Sequence, residues 1–202
     1  MKNTIVLALL LFSFSVMGQY SRTDKGQNFH TEFKYVDSIN KGITIKNSYP
    51  RGGEKYTDPN GKESVYVVFW TCITNETDSD IEITINFPID PFMIQSSPEI
   101  NFNFYLPKEE MTHEKAGMFS YGLDLKSFLD KNIDEPSELL VTISPKDTHS
   151  FYVVALSNRG VNGVVRAGFE LQKQKLIYKI NNHEIISGQV KKKVKRSAPT
   201  KH

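Results

Sequence analysis

The chain has 202 residues, of which 39% are hydrophobic and 24% charged, and its 25 basic and 23 acidic residues give a formal net charge of +2. This length and composition exclude a small disulfide-rich domain and a wholly disordered chain, and they leave room for one sizeable hydrophobic core. The single cysteine excludes an internal disulfide.

The first residues have the pattern of a secretory signal. Lys2 precedes an apolar run over residues 5–16, and the small residue Gly18 stands where polar sequence begins. A basic start, an apolar stretch of about 7–15 residues and a small residue at the cleavage site are the three parts of such a signal. The run is shorter than the roughly 20 apolar residues that a membrane span needs. We therefore expect a signal peptide over residues 1–18, a mature chain without a transmembrane segment, and export to the periplasm, the cell surface or the medium.

The segment after the leader begins with weak signals. Residues 19–41 are polar with scattered aromatics and are predicted to be a lead-in with at most one strand, around residues 33–36. Residues 42–49 (GITIKNSY) alternate as a β-strand does. Turns are predicted at residues 50–53 and 58–61, because Pro presets φ there and Gly or Asn accepts a positive φ.

Two strand signals follow one another in the first half of the chain. Residues 65–74 (VYVVFWTCIT) are apolar on both faces, which predicts a strand in the middle of a sheet, covered on both sides. Residues 81–86 (IEITIN) alternate strictly, so one face is expected in the core and the other in water. The two runs are interpreted as a β-hairpin. The loop between them, residues 75–80, has the oxygen ligands that calcium accepts, but turn formation alone also favours such residues, and both interpretations stay open.

The signals weaken between residues 87 and 138, where prolines interrupt the pattern. Residues 101–106 (NFNFYL) predict a short strand, and residues 124–131 predict a short helix because apolar residues fall at i, i+3 and i+4. A cluster of exposed aromatics in such a loop-rich segment would form a recognition surface, although several of these side chains are also expected in the core. The candidates are Phe92, Phe102, Phe104, Tyr105, Phe119 and Tyr121.

Alternation returns in the second half of the chain. Strands are predicted over residues 139–143 and 151–156, and again over residues 164–171, 176–180 and 184–190. Turn-forming residues separate these runs, and no sustained helical period lies among them. Strands at this spacing predict an all-β, antiparallel sandwich that carries one loop-rich segment with a short helix.

These elements resemble an immunoglobulin-like β-sandwich. YVVFWTCITNETDSDIEITINFP has the form of a core strand, an Asn-rich turn and an alternating strand, and GFELQKQKLIYKINNHEIISG resembles a closing hairpin pair. The step TISPKDTHSFYVVALS, from proline through a polar turn to a strand, resembles a step common in such domains. Taken together, these segments are similar to an uncharacterised family of exported bacterial proteins built in this way. The resemblance covers residues 42–190, the predicted sandwich domain, and implies only the fold and the compartment. The second cysteine of antibody-type domains is absent.

Positive charge is concentrated at the C-terminal end. Residues 191–202 contain six basic residues and no acidic one, a segregation typical of a solvated, disordered tail. No nucleic-acid-binding motif accompanies this tail, so the expected partner is an envelope component and not a nucleic acid. Its candidate contact residues are Lys191, Lys192, Lys193, Lys195 and Arg196.

The sequence contains no catalytic signature. It has neither a G-x-S-x-G nor an H-E-x-x-H pattern, and its five histidines are scattered. We therefore predict no catalysis, cofactor or metal site, and expect an accessory protein of the cell envelope that binds a protein or a glycan non-covalently. The alternative is a hydrolase acting on glycan or cell wall, which needs a concave pocket with at least two convergent ionisable groups. A third interpretation is an assembly subunit held by strand addition at an exposed sheet edge.

Overall fold

The computed structural model describes residues 29–36, 41–94 and 97–193. The predicted signal peptide and most of the predicted tail lie outside these ranges. One α-helix, α1 (Leu125–Asn132), and two 3-10 helices occur among the described residues. The strands are β1 (Phe29–Val36), β2 (Gly42–Ser48), β3 (Arg51–Thr57), β4 (Glu63–Asn75), β5 (Ile81–Phe87), β6 (Phe92–Ile94), β7 (Ser97–Tyr105), β8 (Ser137–Ile143), β9 (Thr148–Ser157), β10 (Ala167–Gln172), β11 (Lys175–Ile180) and β12 (His183–Lys192).

The strands form two antiparallel sheets packed face to face, which confirms the predicted all-β sandwich. The seven-stranded sheet, called sheet A, has the order β1-β2-β4-β9-β7-β6, with β3 also paired to β4. The five-stranded sheet, called sheet B, has the order β10-β11-β12-β5-β8. Strand β4 is long enough to carry β2 beside its C-terminal half and β3 beside its N-terminal half.

Strand β4 is covered on both faces, as its sequence predicted. One face packs against sheet B, and that core joins Phe69 and Ile73 of β4 to Phe169 of β10. The other face is covered by the helical segment between β7 and β8, where Trp70 of β4 and Leu129 of α1 share a second core. The apolar alternation on both sides of β4 therefore serves two separate cores, and the segment around α1 forms a third layer.

The predicted hairpin between β4 and β5 is wrong, because these strands lie in different sheets. The loop crosses between the sheets and is held by Asn75, whose Nδ2 donates to the carbonyl oxygens of Ser79 at 2.8 Å and Ile143 at 2.9 Å. The Oδ1 atom of Asn75 accepts from the N–H and the hydroxyl of Thr77. Period-2 alternation shows which face of a strand is buried, but it does not specify the neighbouring strand.

Strand β3 occupies a place where the sequence predicted a turn. Gly52 and Gly53 have φ values of +100° and +89° and lie at a β-bulge, where the register shifts between Gly52 and Glu54. Glycine adopts such φ values without steric cost, so the same residue type suits a turn or a bulge. The turn predicted at residues 58–61 is present, and Asp58 accepts there from the backbone N–H of Asn60 at 2.8 Å.

The remaining differences concern the extent of the elements. Strand β1 lies in the predicted lead-in and pairs along its length with β2, so the sandwich already includes residue 29. Strand β7 is longer than the predicted residues 101–106, and β6 was not predicted. The predicted helix is present as α1, and Asp124 caps it by accepting from the N–H of Ser127 at 3.2 Å.

Candidate functional site

The aromatic residues predicted as an interaction surface lie mostly in the interior. Four of them are buried in the two cores: Phe102, Phe104, Tyr105 and Tyr121. Phe92 is partly buried against the core between the sheets, and Phe119 is 65% exposed. The physical reason is that Phe102 and Phe104 pack into the core between the sheets, whereas Tyr105 and Tyr121 pack into the core formed with the helical segment. These six residues therefore do not present one aromatic patch.

The predicted basic surface begins within strand β12, on exposed residues. Lys191 and Lys192 are the last residues of β12 and pair with β5. The Nζ atom of Lys193 lies 3.3 Å from Glu82 Oε2 and donates to the hydroxyl of Thr142 at 2.8 Å. Lys195 and Arg196 lie outside the described residues.

At one edge of the sandwich, strands β1 and β2 of sheet A lie beside β10 of sheet B, and we call this line of contact the seam. His30 Nε2 lies 3.0 Å from the carbonyl oxygen of Ala167, and because a carbonyl only accepts, this nitrogen carries the hydrogen. The backbone N–H of Leu171 donates to the hydroxyl of Tyr35 at 2.9 Å. Side chains of sheet A thus bond to the outer backbone edge of β10 at both ends of the seam.

Asn47 makes the central contact of the seam and is 1% exposed. Its Oδ1 accepts from the N–H of Phe169 at 2.8 Å and from the hydroxyl of Thr71 at 3.0 Å. Its Nδ2 donates to the carbonyl oxygen of Phe169 at 3.1 Å and to the hydroxyl of Thr31 at 3.0 Å. A Cβ atom at Gly168 would lie 2.4 Å from the Cγ of Asn47, so only glycine leaves room for this contact.

The outer edge of β10 is therefore bonded at three alternate residues, Ala167, Phe169 and Leu171. An incoming strand would need these same backbone groups. The contacts argue against strand addition at this edge of sheet B.

A cavity of about 440 Å³ opens at one end of the seam, and we call it the seam pocket. Its polar and aromatic lining includes His30, Tyr49, Arg166, Glu170, Lys179 and Asn181. The ring of Tyr49, a residue 43% exposed, meets the His30 ring edge-on at a centroid distance of 5.6 Å. The guanidinium carbon of Arg166 lies 5.0 Å from the centroid of the same Tyr49 ring, within the range of a cation–π contact.

The two cations of the seam pocket differ in their partners. Lys179 Nζ lies 2.9 Å from Glu170 Oε2 and 3.0 Å from Glu184 Oε1, and these bonds raise the pKa of the Lys179 ammonium. Arg166 forms no salt bridge with any carboxylate of the described residues. Arg166 is thus the cation of the seam pocket that lacks a salt-bridge partner among the described residues.

His30 is held as a neutral ring. Burial lowers the pKa of its imidazole, and the positive charge of Arg166 lowers this pKa further, while the bond to the Ala167 carbonyl raises it in part. The balance lies below the ordinary value of 6.5. At neutral pH the ring therefore adds no charge to the seam pocket.

Asn181 fixes the backbone of Arg166 from the turn between β11 and β12. The N–H of Arg166 donates to Asn181 Oδ1 at 2.9 Å, and the N–H of Asn181 donates to the carbonyl of Arg166 at 2.6 Å. Asn181 has a φ of +50°, a conformation that asparagine adopts more readily than most residues. The reciprocal bonds hold the start of β10 at the mouth of the pocket.

Other groups weighed from the sequence have local partners. Asp78 of the Asn-rich loop pairs with Lys41, and the described residues contain no group of three or more His, Cys, Asp or Glu side chains arranged to hold a metal ion. Cys72 is buried, burial raises the pKa of its thiol, and its sulfur accepts from the hydroxyl of Ser150 at 3.2 Å. A raised pKa disfavours the nucleophilic thiolate.

Sequence reasoning did not select His30, Tyr49, Arg166 or Asn181. His30 and its partner Ala167 are 137 positions apart, and no local spacing announces their contact. The one available signal is Arg166, a lone cation within the apolar residues 164–171.

Comparison of the chain with protein families, with curated proteins and with solved structures gives no match. Across the described part of the chain, no helix combines the length and the apolar character needed to span a membrane.

Proposed function

We propose that this protein is an exported accessory protein of the cell envelope that binds a glycan or a protein non-covalently, with the seam pocket as its binding site. The observation that carries the proposal is the Arg166 guanidinium, which lies over the half-exposed ring of Tyr49 at the cavity. This guanidinium forms no salt bridge among the described residues. An aromatic face and a few fixed polar groups around a cavity of this size are typical of ligand sites.

The chemistry of the pocket favours binding over cleavage. Glycoside hydrolysis generally uses two carboxylates, one as the acid and one as the base or nucleophile. Among the described residues, the lining of the seam pocket includes a single carboxylate, Glu170, whose Oε2 is bonded to Lys179. His30 donates to a backbone carbonyl, and no carboxylate in the described part of the chain is bonded to it to orient it as a general base. These groups can hold and orient a ligand, but they do not make an acid–base pair.

The proposal is tested by cosedimentation of the purified protein with washed envelope fragments from the producing cell. Tyr49→Ala removes the exposed ring of the pocket, and Leu140→Ala is the matched control because Leu140 is 69% exposed on strand β8 of sheet B. We expect the wild type and Leu140→Ala to sediment alike and Tyr49→Ala to stay several-fold more in the supernatant. Protease treatment of the fragments separates the two classes of partner, since retention after digestion indicates a glycan. The proposal would be contradicted if all three proteins sedimented equally, or if none of them sedimented with the fragments.

A further inference from the structure

We infer that the ligand of the seam pocket is an acidic sugar whose carboxylate is bound by Arg166. The inference rests on the proposed function and adds the chemical class of the ligand.

The charge of the seam pocket selects an anion. Among the described residues, the charged lining groups are Arg166, Lys179 and Glu170, and His30 is neutral. Lys179 is already bonded to two carboxylates, whereas Arg166 has none among the described residues. A guanidinium presents parallel N–H donors that match the two oxygens of a carboxylate.

Arg166 is positioned before any ligand arrives. Its backbone is bonded in both directions to Asn181, and its guanidinium lies over the Tyr49 ring. Tyr49 is in turn fixed through its carbonyl oxygen, which accepts from the hydroxyl of the buried Tyr121. The contact with the Tyr49 ring restrains the exposed side chain of Arg166, and a restrained side chain loses less rotamer freedom on binding.

The rest of the lining suits the hydroxyl groups of a sugar. The Oδ1 atom of Asn181 is occupied by the Arg166 N–H, but its Nδ2 makes no hydrogen bond within the described residues and can donate to a hydroxyl. The outward part of the Tyr49 ring offers an apolar surface of the kind on which a sugar ring stacks. A cavity of about 440 Å³ is larger than a bare carboxylate anion requires and lies within the size range of small-molecule sites.

The inference is tested by NMR titration of the isotope-labelled full chain with D-glucuronate and, separately, with D-glucose. These probes share a ring and differ in whether carbon 6 is a carboxylate. We expect glucuronate to shift the signals of His30, Gly168 and Asn181 and to bind at least about tenfold more tightly than glucose, the ratio expected for one charge-assisted bond. Raising the ionic strength should weaken the glucuronate complex, because salt screens the pair.

Two arginine variants make the test specific. Arg166→Gln removes the guanidinium from the pocket, and Arg159→Gln is the matched control because Arg159 is an exposed arginine outside the pocket lining. Arg166→Gln should bind glucuronate and glucose equally weakly, and Arg159→Gln should keep the wild-type preference. If both sugars shift the pocket signals with the same affinity, the acidic class is overturned while a binding pocket remains. If neither sugar shifts them but Tyr49→Ala still releases the protein from envelope fragments, the sugar ligand is overturned and the proposed function stands. If neither sugar shifts the pocket signals and Tyr49→Ala sediments like the wild type, both the sugar ligand and the proposed function are overturned.

Discussion

Replacing Asn47 with alanine is expected to destabilise the protein by about 3–5 kcal/mol. The substitution leaves the buried N–H and carbonyl of Phe169 without partners, and each unsatisfied buried group costs about 1–3 kcal/mol. The hydroxyls of Thr71 and Thr31 also lose a bond, but a hydroxyl can rotate toward another partner. Since a domain is stabilised by about 5–15 kcal/mol in total, this one amide accounts for a large share of the stability.

The measurement is urea unfolding of the wild type, Asn47→Ala and Asn103→Ala. Asn103 is the matched control because its amide donates one solvent-exposed bond, to the carbonyl of Ile89 at 2.7 Å, and its loss should cost less than about 1 kcal/mol. Amide hydrogen exchange adds a local readout, since the N–H of Phe169 should lose protection in Asn47→Ala well before the centre of sheet A does. A free energy of unfolding for Asn47→Ala within about 1 kcal/mol of wild type would refute the assignment of Asn47 as the link between the sheets.

Further predictions concern the same seam. Gly168→Ala should lower the free energy of unfolding by about 1–3 kcal/mol or more, because its Cβ would overlap Asn47, which four bonds hold in place. Gly160→Ala, where a Cβ meets open space, should change it by less than about 0.5 kcal/mol, and a chemical denaturation series that ranks the two equally would contradict the packing argument. His30 has a lowered pKa when folded, so the unfolded state binds its proton more readily and stability should fall as the pH drops below about 6.5. Thermal melts between pH 7.5 and 5 should show a smaller decline for His30→Gln, and His149, whose pKa burial also lowers, should contribute to the slope that remains.

Several elements follow from local sequence alone. Strand β4 was predicted in the middle of a sheet because apolar residues on both of its faces need two covering layers, and both are present. Helix α1 was predicted from the spacing of its apolar residues, and Asp124 provides its N-cap. These predictions concern interactions within a few residues, where periodicity and side-chain type decide the conformation.

The burial of the aromatics in β7 was harder to predict. The sequence NFNFYL indicates a strand, but it does not show how many layers cover it. Phe104 belongs to the core between the sheets and Tyr105 to the core under α1, so neighbouring residues point into different cores. A strand whose two faces are both covered cannot present an aromatic patch, and only the packing of α1 on sheet A shows this.

The sequence by itself determined most of the strands and the all-β class of this protein, because these depend on period-2 alternation and on turn residues, whereas β3 and β6 did not follow from it. The tertiary structure decided that β4 and β5 lie in different sheets, since alternation does not specify which strand pairs with which. It also decided the seam pocket, where His30 meets residues beyond position 160. Contacts of this kind form only when two sheet edges meet, and that meeting depends on the packing of the whole sandwich.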